Sequence, residues 1–343
     1  SLSKAISGTI GSLAELNVNN GTLVYDKATG AIGNLSVKGQ LDVNEYMHVS
    51  NDFNLSEGTI NLNNGLEFYN TEKLTTMNLT GGTINIHESS TDRHGNGIEG
   101  DYININGGTI NMNKSYLDTG YDRGAVNLSD GAINVLAGQA AQFDKDLDLV
   151  DGNGMTTPEF NIKGGELNIS ENSGITIGTV KEDGEERTFK KGTINLTDAG
   201  TINLNGKLVS DVAGNGALNI KSSNALVDGN VSGSNLNFET DHSLSKAFSG
   251  TIGDLAALNI NKGTLTYDKA TGKIGNLNVA GALDIGTNTV EATNVDFKDN
   301  SKLALRVSGA DNYGKINAST INIGNDTTMN VTLDNGVVDK GAN

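Results

Sequence analysis

One short phrase, Gly-x-Ile/Leu-Asn-apolar, returns through the middle of the chain and restricts its possible folds more than any other feature. It begins at Gly58, Gly82, Gly108, Gly131, Gly165, Gly192, Gly200 and Gly216. Successive steps are 24, 26, 23, 34, 27, 8 and 16 residues, the last two together making one further step of 24. Within Thr59-Ile60-Asn61-Leu62 the apolar residues alternate with polar ones. Period two is the mark of a half-buried strand, because successive side chains of a strand point to opposite faces. The β-branched residues favour the same conformation.

Many phrases have a partner just upstream. "TMNLTGGTINIH", "YININGGTINMN" and "EFNIKGGELNIS" each read as strand, glycine corner, strand, with Gly-Gly supplying a positive φ at the corner. Strands and turns then add up to one lap of a coil about every 24 residues. One lap cannot bury its own apolar face, but stacked laps can. Stacking predicts Ile over Ile inside, with Asn and Thr in columns outside. A sandwich expects turns every ~8–12 residues without one recurring phrase. A propeller blade needs ~40–50 residues. The fold expected is therefore all-β, a single right-handed parallel β-helix of about fourteen laps rising ~4.8 Å each.

A second repeat is much longer. Residues 1–43 return as residues 243–285, with 32 of 43 positions identical. The changes keep their class at core positions, as in Ile6 to Phe248, Val18 to Ile260 and Val43 to Ile285. This predicts one full repeat module over 1–242, the start of a second copy over 243–293 continuing the same solenoid, and a different closing segment over 294–343. A solenoid end normally carries a polar cap. Because Ser1 already lies inside the repeat, the chain is expected to be a piece of a longer array.

The net charge is -17 and the chain has no cysteine. A surface that follows phosphates needs Lys and Arg, so nucleic acid is not an expected partner. Anionic lipid is disfavoured on the same ground. Disulfides and thiolate chemistry are excluded. No apolar run approaches the ~18 residues of a membrane-spanning helix, so no direct membrane insertion by this fragment is expected.

The stretch from Asn294 to Gly336 changes style. Leu303, Leu305 and Val307 alternate, Tyr313-Gly314-Lys315-Ile316-Asn317 leads into Thr320-Ile321-Asn322-Ile323, and Thr328 to Leu333 closes the run. This resembles the end of the passenger region of Gram-negative autotransporters, the type V secreted proteins. The Gly-Thr-Ile-Asn-Leu phrases are also similar to that family's passenger rungs. The resemblance implies that 294–343 caps the β-helix. It also implies export to the outside of a Gram-negative bacterium, linked to the outer membrane in the full-length protein. Work by adhesion, self-association or surface presentation follows, with a host or neighbouring-cell protein or glycan as partner.

Reactive groups are sparse. The loop "HESSTDRHGNGIEGD" offers His87, Glu88, Asp92 and His94 as ligand types, without the spacing of a helix-borne zinc site. Asp92-Arg93 and Asp122-Arg123 lie 30 residues apart, where neighbouring laps would bring two acids to one wall, as glycosidic cleavage requires. Asp144, Asp146, Asp148 and Asp151 fail the calcium-loop pattern, since Leu149 and Met155 stand where Gly and Glu belong. They read instead as a strand with a charged outer face. "VKEDGEERTFKK" reads as a hairpin leaving the coil, turning at Asp183-Gly184 with Glu185 beside it. No catalytic residues, metal or cofactor are expected.

The loops 87–101, 140–158 and the hairpin are the expected contact surfaces; the candidate residues are His87, Asp92, Arg93, His94, Asp183 and Glu185, with Asp122 and Arg123 in a separate loop. The function expected is that of a non-enzymatic adhesin stalk lengthened by module duplication. A laterally self-associating protein of biofilms or filaments and a polysaccharide-processing enzyme are the alternatives.

Overall fold

The computed structural model describes residues 1–70, 72–87, 97–119, 124–136, 140–146, 159–183 and 186–334. Almost every element is a strand; the helices among the described residues are the single turns Leu2–Ala5 and Leu244–Ala247. The strands stack in parallel as a β-helix. The chain groups into two compact units, Ser1–Ile202 with Leu208–Ser210, and Asn203–Lys207 with Asp211–Asn343.

In the first unit each lap contributes to parallel columns of strands. One column stacks Leu13–Val18, Ile32–Val37, Met47–Val49, Leu66–Phe68, Gly97–Gly100, Tyr116–Asp118, Ala140–Asp146 and Gly174–Asp183. A second stacks Thr22–Tyr25, Gln40–Val43, Thr59–Leu62, Thr83–Ile86, 109–112, 132–135 and Glu166–Ile169. A third stacks Phe53–Leu55, Thr76–Leu79, 102–105, 125–128, Glu159–Ile162 and Thr193–Leu196.

The expected register holds in the second column. Leu41, Ile60, Ile84, Ile110, Ile133 and Leu167 lie over one another, each no more than 1% exposed. Each such side chain contributes roughly 1.5–3 kcal/mol by leaving water. The intervening polar residues form side-chain ladders. Asn78 donates from Nδ2 to Asn54 Oδ1 at 2.9 Å, Asn104 to Asn78 at 3.0 Å, Asn127 to Asn104 at 2.9 Å, Asn161 to Asn127 at 2.9 Å and Asn195 to Asn161 at 2.8 Å. In the second column Asn85, Asn111, Asn134 and Asn168 donate in the same sense, and the ladder begins where Asn61 donates to Asp42.

Glycine serves two purposes at the corners. Gly108 has φ 74°, and a Cβ there would sit 2.8 Å from the Gly81 carbonyl carbon. It therefore meets both a left-handed backbone and a close approach of the lap below. The pair Gly164-Gly165 is different. Neither has a left-handed φ, but a Cβ on Gly164 would meet Ser129 O at 2.3 Å. The two strands expected within "YININGGTINMN" form one bent strand, Tyr102–Met112, whose register shifts between Ile105 and Thr109.

Two further expectations are corrected and one holds. Thr193–Leu196 stacks on Glu159–Ile162, so the phrase at Gly192 belongs to the third column, whereas Thr201 N donates to Gly165 O at 3.0 Å as the second column requires. One phrase thus serves two corners of a lap. Residues 97–100, expected in a loop, and 140–146, expected in an excursion from the coil even though Asp144 and Asp146 read as part of a charged strand, are strands of the first column. The expected hairpin is present: Gly174–Asp183 pairs antiparallel with Glu186–Lys191, bringing Val180 opposite Phe189.

The second unit repeats the principle. One column stacks Ala217–Ile220, Asn235–Phe238, Leu255–Ile260, Ile274–Val279, Thr289–Phe297 and Thr320–Ile323. Another stacks His242–Ser243, Thr264–Thr266, Ala282–Asp284, Lys302–Val307 and Thr328–Leu333. Its ladder runs from Asn278 through Asn259, Asn237 and Asn219 to Asn203. The described part of the segment after Asn294 continues as parallel strands. There Ile323 is 66% and Met329 58% exposed.

Ile84→Ala should lower the unfolding free energy by about 2–5 kcal/mol in chemical denaturation, because a stacked column cannot collapse around the cavity. Asn104→Ala should cost about 1–3 kcal/mol, since the amide both donates to Asn78 and accepts from Asn127. An Asn104→Ala variant as stable as the parent chain would show that the ladder bonds only replace bonds to water.

Candidate binding surface

The structure distributes the sequence-derived site residues unevenly. His87 is exposed directly after Thr83–Ile86, its backbone N–H donating to Leu62 O at 2.9 Å. Asp183 pairs with Glu186 at the tip of the hairpin. Asp92, Arg93, His94, Asp122, Arg123 and Glu185 lie outside the described residues, and with them the proposed meeting of Asp92 and Asp122. Asp144 and Asp146 belong to the strand Ala140–Asp146; Asp148 and Asp151 again lie outside the description. Among the described residues no group of three or more His, Cys, Asp or Glu is arranged to hold a metal ion.

A different cluster emerges on the outer face of the first column. The strands Met47–Val49, Leu66–Phe68, Gly97–Gly100 and Tyr116–Asp118 are so short that only one or two residues of each point outward. Met47, Leu66, Ile98 and Leu117 stack inside. The register therefore places His48 over Glu67, Glu67 over Glu99 and Glu99 over Asp118. Tyrosines flank this acidic row. Tyr46 is 41% and Tyr69 42% exposed. The His48 ring lies 6.3 Å from that of Tyr69, and His48 Nε2 is 2.9 Å from the Tyr69 carbonyl oxygen. The Tyr116 ring lies over Gly97, where a Cβ would come within 2.6 Å of it.

Tyr46 is tied into the cluster. Partial burial, a hydrogen bond to Glu67 and the negative charge of Glu67 and Glu99 all push its phenol well above the ordinary tyrosine range. Exposed aromatic faces beside carboxylates can stack on apolar faces of a ligand and accept hydrogen bonds from its hydroxyl or cationic groups. The arrangement contains no activated nucleophile. Its members come from four laps, which explains why spacing along the chain did not reveal it. The signal that was present is the polar middle letter of Met-His-Val, Leu-Glu-Phe and Ile-Glu-Gly, read down a column.

The second unit has a shallow polar cleft lined in part by Tyr267, Asp268, Asp284, Asn288, Arg306 and Ser308. Its groups are largely engaged with one another. Arg306 Nε donates to Asp334 Oδ1 at 2.7 Å, Ser308 Oγ donates to Asp334 Oδ2, and Asn288 Nδ2 donates to the Tyr267 carbonyl at 2.8 Å. Arg306 and Ser308 together hold the Asp334 carboxyl below its ordinary range. No protein family, curated protein or solved structure gives a match to this chain.

The Tyr46 environment gives a pH test. A phenol raised in the folded state adds stability that is complete below the ordinary tyrosine pKa of ~10 and is lost as pH climbs towards the folded value. In an alkaline titration followed by tyrosine absorbance, comparison with Tyr46→Phe should assign to Tyr46 a phenol that ionises above the ordinary range and only with unfolding. Glu67→Gln should bring that phenol back towards the ordinary range. A Tyr46 that titrates normally in the folded parent chain would dissolve the cluster as described.

Proposed function

We propose that this chain is a structural and adhesive scaffold, a β-helical stalk that carries a binding surface and is lengthened by copying. The observation that carries the reading is the way the duplicated segment repeats its local bonds. In the first copy Tyr25 Oη meets Thr29 Oγ1 at 2.8 Å, Ser3 N donates to Asp26 at 2.9 Å and Lys27 Nζ to Ile6 O at 2.7 Å. In the second, Tyr267 Oη meets Thr271 Oγ1 at 2.7 Å, Ser245 N donates to Asp268 at 2.8 Å and Lys269 Nζ to Phe248 O at 2.7 Å.

Even the electrostatics recur. Hydroxyls of Ser1 and Ser3 lower the Asp26 pKa. At Asp268 burial works upward, but hydrogen bonds from Ser245 and Ser243 outweigh it and the net shift is again downward. Every one of these groups is spent on folding the lap. Copying them extends a scaffold and adds no reaction. Divergence begins immediately afterwards: Tyr46 leads into the aromatic and acidic cluster, while the corresponding stretch of the second copy leads through Asn288 into the polar cleft. A constant frame with variable outer faces suits recognition of cell-surface protein or glycan.

The family resemblance supports export and display at the surface of a Gram-negative bacterium as the setting. The self-associating reading draws on a different observation, the uncovered row Ile321, Ile323, Met329, Val331 and Leu333.

Beads coated with the chain should attach to host or bacterial cells or to immobilised glycans. A Tyr46→Ala, Glu67→Gln, Tyr69→Ala variant with unchanged circular dichroism should attach about fivefold less, as loss of aromatic anchors implies. Undiminished attachment by that variant would remove the cluster from the reading. Beads that bind no surface and only clump with one another would replace adhesion by self-association.

A further inference from the structure

The duplication leaves one aspartate in two different settings. In the first copy Asp42 Oδ1 accepts from Gln40 Nε2 and from Asn61 Nδ2, each at 2.8 Å. Both partners are gone around its counterpart, Asp284. Ala282 replaces Gln40, and Ala304 stands over Asp284 where Asn61 stands over Asp42. Asp284 Oδ1 accepts instead from Gly286 N at 2.9 Å. Among the described residues its other oxygen, Oδ2, has no hydrogen-bond partner.

Neighbouring changes hollow out the same place. Thr266 replaces Val24 and lies directly beside Asp284 on the preceding lap, adding a hydroxyl. Gly286, Thr287 and Asn288 replace the longer Asn44, Glu45 and Tyr46. Arg306 N donates to Gly286 O at 2.8 Å, which sets Arg306 over a residue without a side chain. A tight turn follows, closed where Ser308 N donates to Asn312 O at 2.8 Å. Three laps of the second unit thus enclose the polar cleft. Its volume is about 320 Å³, at the lower end of the ~300–1,000 Å³ of small-ligand sites.

The walls are fixed and the lining is not committed. Arg306 is held through Nε on Asp334, and Asp268 by the backbone N–H and hydroxyl of Ser245. Asn288 Nδ2 donates to the Tyr267 and Ile285 carbonyls at 2.8 and 3.1 Å. Among the described residues no partner meets the terminal nitrogens of Arg306, the Asn312 side-chain amide or the hydroxyls of Thr266 and Thr287. Charge narrows the choice of ligand. Asp268, Asp284 and Asp334 outnumber Arg306, so a carboxylate, sulfate or phosphate would be repelled. A cationic group would have to share the cleft with a guanidinium. A hydroxyl group both donates and accepts, and so suits every member of the lining.

We propose that this cleft binds a neutral, polyhydroxylated sugar unit, with Asp284 Oδ2 accepting from its hydroxyls and Arg306 and Asn312 donating to them. The proposal rests on the reading of the divergent outer faces as recognition surfaces, and it gives the second copy a glycan site separate from the tyrosine cluster. Asp42 is spent on a ladder; Asp284 has been released from one.

The test is solution NMR of the full chain, titrated separately with the methyl glycosides of glucose, galactose, mannose and N-acetylglucosamine, and with glucuronic acid as the anionic arm. Side-chain N–H signals of Arg306 and Asn312 should shift with a neutral glycoside and not with glucuronic acid. Asp284→Asn keeps Oδ1 for Gly286 N but turns the accepting oxygen into a donor, and should weaken binding at least about tenfold. Asn312→Ala removes no described side-chain bond and should weaken it about threefold. Ala304→Asn gives Asp284 the partner that Asn61 gives Asp42. It should leave circular dichroism and thermal stability undiminished while abolishing binding. Shifts with glucuronic acid alone overturn the proposal, as does binding indifferent to both Asp284→Asn and Ala304→Asn. Silence with every neutral glycoside overturns it too; beads that still attach to cells would then leave the adhesive reading standing without this site.

Discussion

The structure depends on one constraint: each lap must lie on the previous one in register. Parallel backbone pairing fixes neighbouring strands ~4.8 Å apart and puts like residues over like. An aliphatic residue then meets an aliphatic one inside, as Ile60, Ile84 and Ile110 do, while Asn61, Asn85 and Asn111 meet outside. A slip of a single residue would invert both arrangements, driving Asn inward and Ile outward. Core burial and side-chain ladders therefore reinforce the same register. This explains how a core poor in aromatics can be specified by many weak, repeated contacts.

The same constraint explains what was legible in the sequence. Thr-Ile-Asn-Leu shows its two faces within four residues, so the second and third columns could be read directly. The first column could not. Met47–Val49 and Leu66–Phe68 are three residues long, too short to display a period, and they carry no Gly-Thr-Ile-Asn phrase. The cluster of Tyr46, Glu67 and Glu99 was hidden for that reason, since it exists only down the stack. Residues 140–146 looked like an insertion because the lap containing them is long. Lap length is set by corners and outgrowths that the core does not restrict, so phrase spacing varies while register does not. The phrase at Gly192 misled for a related reason: the third column accepts the same Thr-Ile-Asn-Leu letters as the second.

Duplication adds a second kind of information. Two nearly identical segments in different surroundings separate the residues required by a segment's own fold from those required by its neighbour. Tyr25 and Tyr267 keep the same internal partners and belong to the first group. Gly250 and Ile252 belong to the second, because the Gly229 backbone and the bridge to Val231 are what they rest against. The outer faces obey neither requirement and are free to diverge, which is where Tyr46 and Asn288 part company.

The ladders also give the stack a grain. In every described rung-to-rung Asn pair, the later residue supplies the hydrogen and the earlier one the oxygen. In the second column this row of aligned amides ends on the Asp42 carboxylate, which accepts from both Asn61 and Gln40 at 2.8 Å. A full negative charge thus faces the electropositive pole of the row, much as an acidic residue does at the start of a helix. The two ends of such a stack are chemically unlike. Such a row presents N–H at its earlier end and oxygen at its later end, so two like ends would set hydrogen against hydrogen or oxygen against oxygen. The side chains on the surface, and not only the strands beneath them, therefore dictate that these coils can be prolonged in one orientation alone.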